Sequence, residues 1–502
     1  MDFLLLQSDY FGQVYKAIQI FEKILSDSDA DFAFIHGEHD FSYDRLETWL
    51  KENADVKMVL MSVWCYNNRT VIEILDRIQL LAPRATVLIG GWLPNLLQLD
   101  VFALHPHIDA VFLGDGEDML VELIRRTPLS DIHGLYCRDR IQQYRSIEYH
   151  CTDHENDVMI PGPSVIPLSG CGSKCRFCSV IHNRQNFWKK SLERVEEEIT
   201  FQKSQGITEL YLGYDNVLMN RTLALQYTAL LRKHGIYFAT TGRVDQIDET
   251  FIAQISRDGC RRLDFGIENA SERLSQYINK NLSVDMMYDA AVICRKYGVL
   301  PFAFLISGFD TEDDYDREQN LRLVKESDFL LFEINRYKDY VGSDFSNGIR
   351  NFNVLALSPY YQYETCYGLF VDKTACLNAQ AHFYHLQRYA SFCMFEKMNV
   401  YLQQANESQR RQYWVSFMDA TFDMTIPIDA IKVSDASIRR EMEYHWKIKQ
   451  LNWYKKQKVL ERVFPQKYFI DKAALEQDGR VVPIYVSDSE VDEQIRMLYG
   501  DE

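Results

Sequence analysis

Two successive runs of short, wholly apolar strands interleaved with helical patterns constrain this chain more than any other feature. In residues 1–125, DFLLLQS, DFAFIH, KMVLMSV, ATVLIGG and IDAVFLG read as strands, while QVYKAIQIFEKIL, RTVIEILDRIQLL and EDMLVELIRR carry apolar residues at helical spacing. Strands that are apolar throughout need cover on both faces, which a parallel sheet with helices on either side provides. The expectation is an α/β domain with a doubly wound parallel sheet, whose ligands sit at the carboxyl ends of the strands. Ser62, Gly90, Gly91, Gly114, Gly116 and Glu117 fall at those ends.

Residues 126–160 lose the alternation, run into Pro161 and Pro163, and read as a connector with one hairpin. The pattern restarts over 161–350: SVIPLSG, ELYLG, IYFATTGR, RRLDFGIE, LPFAFLISG and DFLLFEIN are each followed by a turn and a helical stretch. Six such units predict a partial (β/α)6 barrel with its chemistry at the strand carboxyl ends. Residues 351–502 carry long amphipathic patterns rich in Tyr, Gln and Trp, and predict a mainly helical region that caps the barrel or shapes a pocket.

A net charge of −17 opposes a phosphate backbone, so nucleic acid is disfavoured as a partner. No apolar run reaches the ~20 residues that span a bilayer, and eleven irregularly spaced cysteines suit a reducing compartment better than a disulfide framework. The expected setting is cytoplasmic.

Within SGCGSKCRFCSV, Cys171, Cys175 and Cys178 follow the first barrel strand. Thiolates select zinc or iron-sulfur clusters, and structural zinc is normally closed by four ligands. Three cysteines at CxxxCxxC suit a 4Fe-4S cluster with one iron left open to a small molecule; the competing reading is a zinc loop completed by His182 or a distant residue.

CGSKCRFC, with Phe177 before the last cysteine, resembles the radical SAM superfamily. The resemblance implies that S-adenosylmethionine (SAM) chelates the open iron and is cleaved by one electron to a 5'-deoxyadenosyl radical. It extends over about residues 160–330. LGYDNVLMN supplies Asp215 where family members meet the SAM amino group, although many have Gly-Gly-Glu there; TTGRVDQID supplies Arg243 for the carboxylate. DFGIENASERL supplies Glu268 for the ribose, and FAFLISGFDTEDD resembles the strand beside the adenine. The competing roles are Asp215 as a turn former, Arg243 paired with Asp245, and Glu268 paired with Lys280.

The first domain, through VLIGGWLPN and AVFLGDGEDMLVELI, resembles the Rossmann-type cobalamin (B12)-binding domain of one large radical SAM subclass. It lacks Asp-x-His-x-x-Gly, so no lower cobalt ligand is implied, and His105 and His107 are read as decorating a surface turn. Ser62, Gly90, Gly91, Gly114, Gly116 and Glu117 would then line the corrin; the alternative is a corrin-free scaffold.

These resemblances imply cobalamin-dependent C-methylation of a peptide or small natural product. The alternatives are a corrin-free peptide epimerase or rearrangement enzyme with Cys366 or Cys376 as hydrogen donor, and a non-catalytic iron-sulfur protein. Reduction of the cluster implies a flavodoxin or ferredoxin partner.

Overall fold

The computed structural model describes the chain except for residues 8–15, 36–42, 64–67, 179–187, 214, 338–342, 347–368, 371, 464–467, 472–482 and 501–502. It divides into two compact units. The first comprises 1–160, 339–369 and 466–484, and the second 161–338, 370–465 and 485–502.

In the first unit, β1 (Phe3–Gln7), β2 (Phe32–Ile35), β3 (Met58–Ser62), β4 (Thr86–Gly90), β5 (Ala110–Phe112) and β6 (Leu135–Cys137) form one sheet in the order β2-β1-β3-β4-β5-β6. Pairing is parallel except for β6, which runs antiparallel on β5. The connecting helices are α1 (Lys16–Ser26), α2 (Tyr43–Glu52), α3 (Asn68–Leu81), α4 (Trp92–Leu97) and α5 (Glu117–Ile124). Because strand side chains alternate in direction, each wholly apolar strand feeds two cores. Leu4, Leu6, Val59, Met61, Val87 and Ile89 pack with Leu46, Leu50, Ile74 and Ile78 on one face. Phe3, Leu5, Leu60 and Leu88 pack with Ile18, Leu25, Leu120 and Leu123 on the other. The segment 126–160, expected as a connector, instead belongs to this unit. It adds β6, and Gly114 bridges in parallel to His150.

The second unit carries a six-stranded, wholly parallel sheet in the order β14-β13-β12-β11-β10-β7, open between β14 and β7. Its strands are β7 (Ser164–Val165), β10 (Glu209–Leu212), β11 (Tyr237–Gly242), β12 (Cys260–Glu268), β13 (Leu300–Ser307) and β14 (Leu331–Arg336). The expected first strand breaks at Pro167, which has no N–H to give a ladder; beyond it, β8 (Leu168–Ser169) pairs with β9 (Trp188–Lys189) instead. Around the sheet run α6 (Leu192–Ser204), α7 (Arg221–His234), α8 (Glu249–Arg257), α9 (Glu272–Tyr277), α10 (Val284–Lys296) and α11 (Asp314–Glu326). Ser191, Asn220, Asp248, Ser271, Ser283 and Asp313 each cap one of them by accepting a backbone N–H of the first turn. Such a cap contributes about 1 kcal/mol.

The helices α12 (Lys373–Gln404), α13 (Glu407–Asp419), α14 (Ala436–Val463) and α15 (Asp488–Tyr499) follow. Phe395 of α12, Phe417 of α13, Trp446 of α14 and Phe422 in the loop between α13 and α14 share one continuous core with the sheet. The Thr421 N–H donates to Phe332 O at 2.8 Å, and its Oγ1 accepts from Ile334 N at 3.0 Å. This segment therefore covers the outer edge of β14. Among the described residues, no helix is long and apolar enough to cross a membrane.

Candidate active site

Cys171, Cys175 and Cys178 lie on the loop after β8, all partly exposed and none in a disulfide. Two sides of the second unit hold this loop. On one side Asp215, just beyond β10, accepts from Gly170 N at 2.8 Å. Gly170 has φ +104°, a conformation glycine adopts without strain. Gly172 N–H points at Met219 Sδ from 3.1 Å, and a Cβ on Gly172 would lie 2.9 Å from that sulfur. On the other side, the turn after α9 receives the loop's polar groups. Arg176 N donates to Ile278 O at 3.0 Å, its guanidinium donates to Tyr277 O at 3.1 Å, and Asn279 Nδ2 donates to Lys174 O at 2.6 Å. A bond from Cys178 N to Cys175 O at 3.1 Å closes the turn between the last two thiols.

Charge gathers at the carboxyl ends of β11 and β12. Arg243 Nη1 stands 3.8 Å from Cys175 Sγ; the same guanidinium grips Asp245 with two bonds at 2.9 and 2.8 Å and donates to Lys280 O at 2.8 Å. Glu268 ends β12 with φ +66° and accepts from the buried Lys280 Nζ at 2.6 Å. Positive φ is uncommon for a residue with a side chain, and such strain persists where the surroundings over-determine it. Here Gly266 makes room: a Cβ on it would lie 2.6 Å from both Glu268 Oε1 and Lys280 Nζ. Burial pushes the Cys175 thiol up, while Lys280 and then Arg243 favour its thiolate. Phe177 meets Phe309 edge-on at 6.1 Å, and Phe309 lies 4.7 Å from Tyr337.

The residues expected to meet SAM thus gather around the Cys loop, and Arg243 and Glu268 each also have the competing partner, whereas Asp215 makes a long-range contact in place of a local turn. Arg243 pairs with Asp245, Glu268 with Lys280, and Asp215 braces the loop entry. Cys376 is fully buried near the start of α12. Cys366 and His182 lie outside the described residues. Sequence reasoning missed the turn 277–281 that holds the loop. Its signal was Asn279 and Asn281, both with φ +56°, since Asn is among the few side-chain residues that enter this region readily.

In the first unit, Ser62 and Gly91 adjoin: a Cβ on Gly91, which has φ +101°, would lie 2.9 Å from Ser62 Oγ. A Cβ on Gly90 would meet Phe112 at 3.7 Å, an ordinary contact. Packing alone accounts for two of the expected corrin glycines. A Cβ on Gly114 would collide with the His150 carbonyl oxygen, and one on Gly116 would meet Phe21 at 2.6 Å. Burial, then Asp115, lifts the Glu117 carboxyl to about 7. The surface-turn expectation for His105 is corrected: it is buried, 3.0 Å from Asp76 through Nε2, and accepts from His107 N at Nδ1.

Residues 165–324 match the Radical SAM superfamily. An uncharacterized methyltransferase of Pyrococcus horikoshii, PH0819, is 25% identical over 262 residues, which cover 47% of this chain and 57% of that protein. The chain therefore spans little more than half the length of that relative. The cobalamin-dependent SAM radical enzyme OxsB, solved with aqua-cobalamin and SAM bound, superposes with TM-score 0.59 and 12% identity over all of this chain and 84% of its own. The radical SAM methyltransferase TsrM of Kitasatospora setae, solved with cobalamin and a [4Fe-4S] cluster, gives TM-score 0.54 and 16% identity over 69% of this chain and 77% of its own. At such identities the likeness to the solved structures concerns fold. Residues 165–324, with the three-thiol loop near their start, thus carry a radical SAM domain, and the chain shares the fold of the cobalamin-dependent radical SAM enzyme OxsB and of TsrM.

Proposed function

We propose that this protein is a cobalamin-dependent radical SAM methyltransferase acting on an unactivated carbon of a peptide or small natural product. One observation carries the reading: three thiols on one braced loop at the carboxyl mouth of a parallel sheet, with the Arg243 guanidinium 3.8 Å from one of them. That donor set fits a [4Fe-4S] cluster held by Cys171, Cys175 and Cys178, since three thiolates leave one corner for SAM. When bound, the cluster supplies the electron that splits SAM to a deoxyadenosyl radical, and cobalamin supplies the methyl group.

The chain's own residues do the holding. Arg243 places a fixed positive charge beside the thiolates and offers a planar fork suited to a carboxylate. Glu268, held by Lys280, presents acceptors at the end of β12, as hydroxyl donors of a ribose require. Phe177, packed on Phe309, provides an apolar wall beside the loop. In the first unit, Ser62, Gly90 and Gly91 at the ends of β3 and β4 stand where doubly wound sheets bind ligands, and the fold of OxsB and TsrM supports corrin there. A small electron-transfer protein of flavodoxin or ferredoxin type would reduce the cluster.

Anaerobic reconstitution with iron, sulfide and hydroxocobalamin tests this. The wild type should retain both cofactors and form deoxyadenosine from SAM under dithionite; the Cys171→Ala, Cys175→Ala and Cys178→Ala variants should lose iron and cleavage while keeping corrin. A reconstituted wild type without corrin, or one that holds its cluster and forms no deoxyadenosine, defeats the proposal.

A further inference from the structure

Residues 148–157 of the first unit return to the loop after β5. Leu113 O accepts from His150 N at 2.9 Å, and Asp115 N donates to His150 O at 3.1 Å. This two-bond seam sets Asp115 beside Cys151, and the short helical turn His154–Asn156, capped by Asp153, folds His154 back onto the same spot. Ligand atoms of Asp115, Cys151 and His154 then all lie within 4.8 Å of one another.

We propose that Asp115, Cys151 and His154 bind one zinc ion, a centre separate from the three-thiol loop. Three features converge. The donor set, one thiol, one imidazole and one carboxylate, suits zinc, and three protein ligands leave a fourth position for water or a further ligand. The spacing fits: a nitrogen and an oxygen each about 2.0–2.2 Å from one ion at the tetrahedral angle lie about 3.4 Å apart, and His154 Nε2 stands 3.3 Å from Asp115 Oδ2. The imidazole is also oriented as metal-bound histidines are, with Nδ1 at 3.1 and 3.2 Å from the two oxygens of Asp157, so that Nε2 faces the other two ligands. Such an ion ties residues 148–157 to the loop after β5 and thereby fixes Gly114 to Glu117. Nothing in this assignment depends on the chemistry at Cys171, Cys175 and Cys178.

The test uses the full-length protein with its iron-sulfur cluster reconstituted, treated with zinc chloride, desalted, and read by metal analysis and zinc-edge X-ray absorption. The expected result is one zinc per chain with one sulfur and otherwise nitrogen or oxygen ligands. Zinc is lost in Cys151→Ala and His154→Ala with iron content unchanged, and Asp157→Asn, which keeps every ligand, weakens zinc binding by roughly 10- to 100-fold. The wild-type ligand shell is read directly, so a variant that fails to fold does not remove the test. Zinc retention no greater than in Cys151→Ala, or a shell dominated by sulfur and hence located at the three-thiol loop, overturns the proposal.

Discussion

Replacing Arg262 should cost far more than replacing Arg262 together with its partner. Arg262 and Asp264 lie two residues apart on β12, so both point to the same face of the sheet, and both are almost wholly buried. Nε and Nη2 of the arginine donate to the two oxygens of Asp264 at 2.5 and 2.9 Å, Tyr211 adds a bond at 2.9 Å, and Nη1 reaches Asp419. In Arg262→Leu the Asp264 carboxylate keeps one neutral donor in a site with 1% exposure. Breaking a buried pair this way costs about 3–5 kcal/mol. At about 2–4 °C per kcal/mol for a unit of this size, the unfolding midpoint should fall on the order of 10 °C. Arg262→Leu with Asp264→Leu removes both charges and should recover most of that loss, because apolar replacement of an intact buried pair is often nearly neutral. Burial already raises the Asp264 carboxyl, opposed by Arg262 and Tyr211. The deficit of the single variant should therefore shrink in acid, as Asp264 takes up a proton. Tryptophan fluorescence on thermal and urea unfolding of wild type, both singles and the double gives the coupling energy. A double variant as unstable as Arg262→Leu would refute this reasoning.

Other expectations are simpler to check. Gly91 has φ +101° and ψ −157°, a region essentially restricted to glycine, so Gly91→Ala should cost about 1–3 kcal/mol in denaturant melts and weaken corrin retention. Asp215→Ala leaves Gly170 N without its acceptor, and the loosened loop should hold less iron after desalting, while Asp215→Asn, still an acceptor, should retain more. Burial lifts Glu312 from its ordinary 4.5 to about 7 against donors at Gly308 and Ser307. The folded state therefore keeps a proton that the unfolded chain releases. Its contribution is complete below about pH 4.5 and is lost as pH rises through about 7, by up to about 3 kcal/mol; Glu312→Gln should flatten that part of the stability profile measured by urea titration.

The strand positions were legible because burial on both faces demands unbroken apolar runs, as in FLLLQ and TVLIG. The grouping of the three thiols on one loop was visible in their spacing, which by itself left zinc and an iron-sulfur cluster both open. Residues 126–160 were misjudged because β6 is only three residues long and joins the sheet through antiparallel pairing with β5, a contact that leaves no periodic trace. The turn 277–281 was missed for a related reason. Two of the hydrogen bonds that tie it to the Cys loop are accepted by backbone carbonyls, of Tyr277 and Ile278, and main-chain acceptors are the same in every sequence; Asn279 contributes a side chain. The ambiguity at Arg243 and Glu268 also has a physical origin: a partly buried charged group needs a counter-charge whatever else it meets, and Asp245 and Lys280 supply it.

Thr421 bears on the order in which this protein can be made. The open sheet ends at β14, and its outer border finds acceptor and donor in a residue that emerges from the ribosome more than eighty positions later. Until then the nascent barrel carries an unsealed strand that another chain could zip onto. Truncation after α11 or β14 should accordingly give an aggregating product, and the late helices serve as the seam that completes the earlier half.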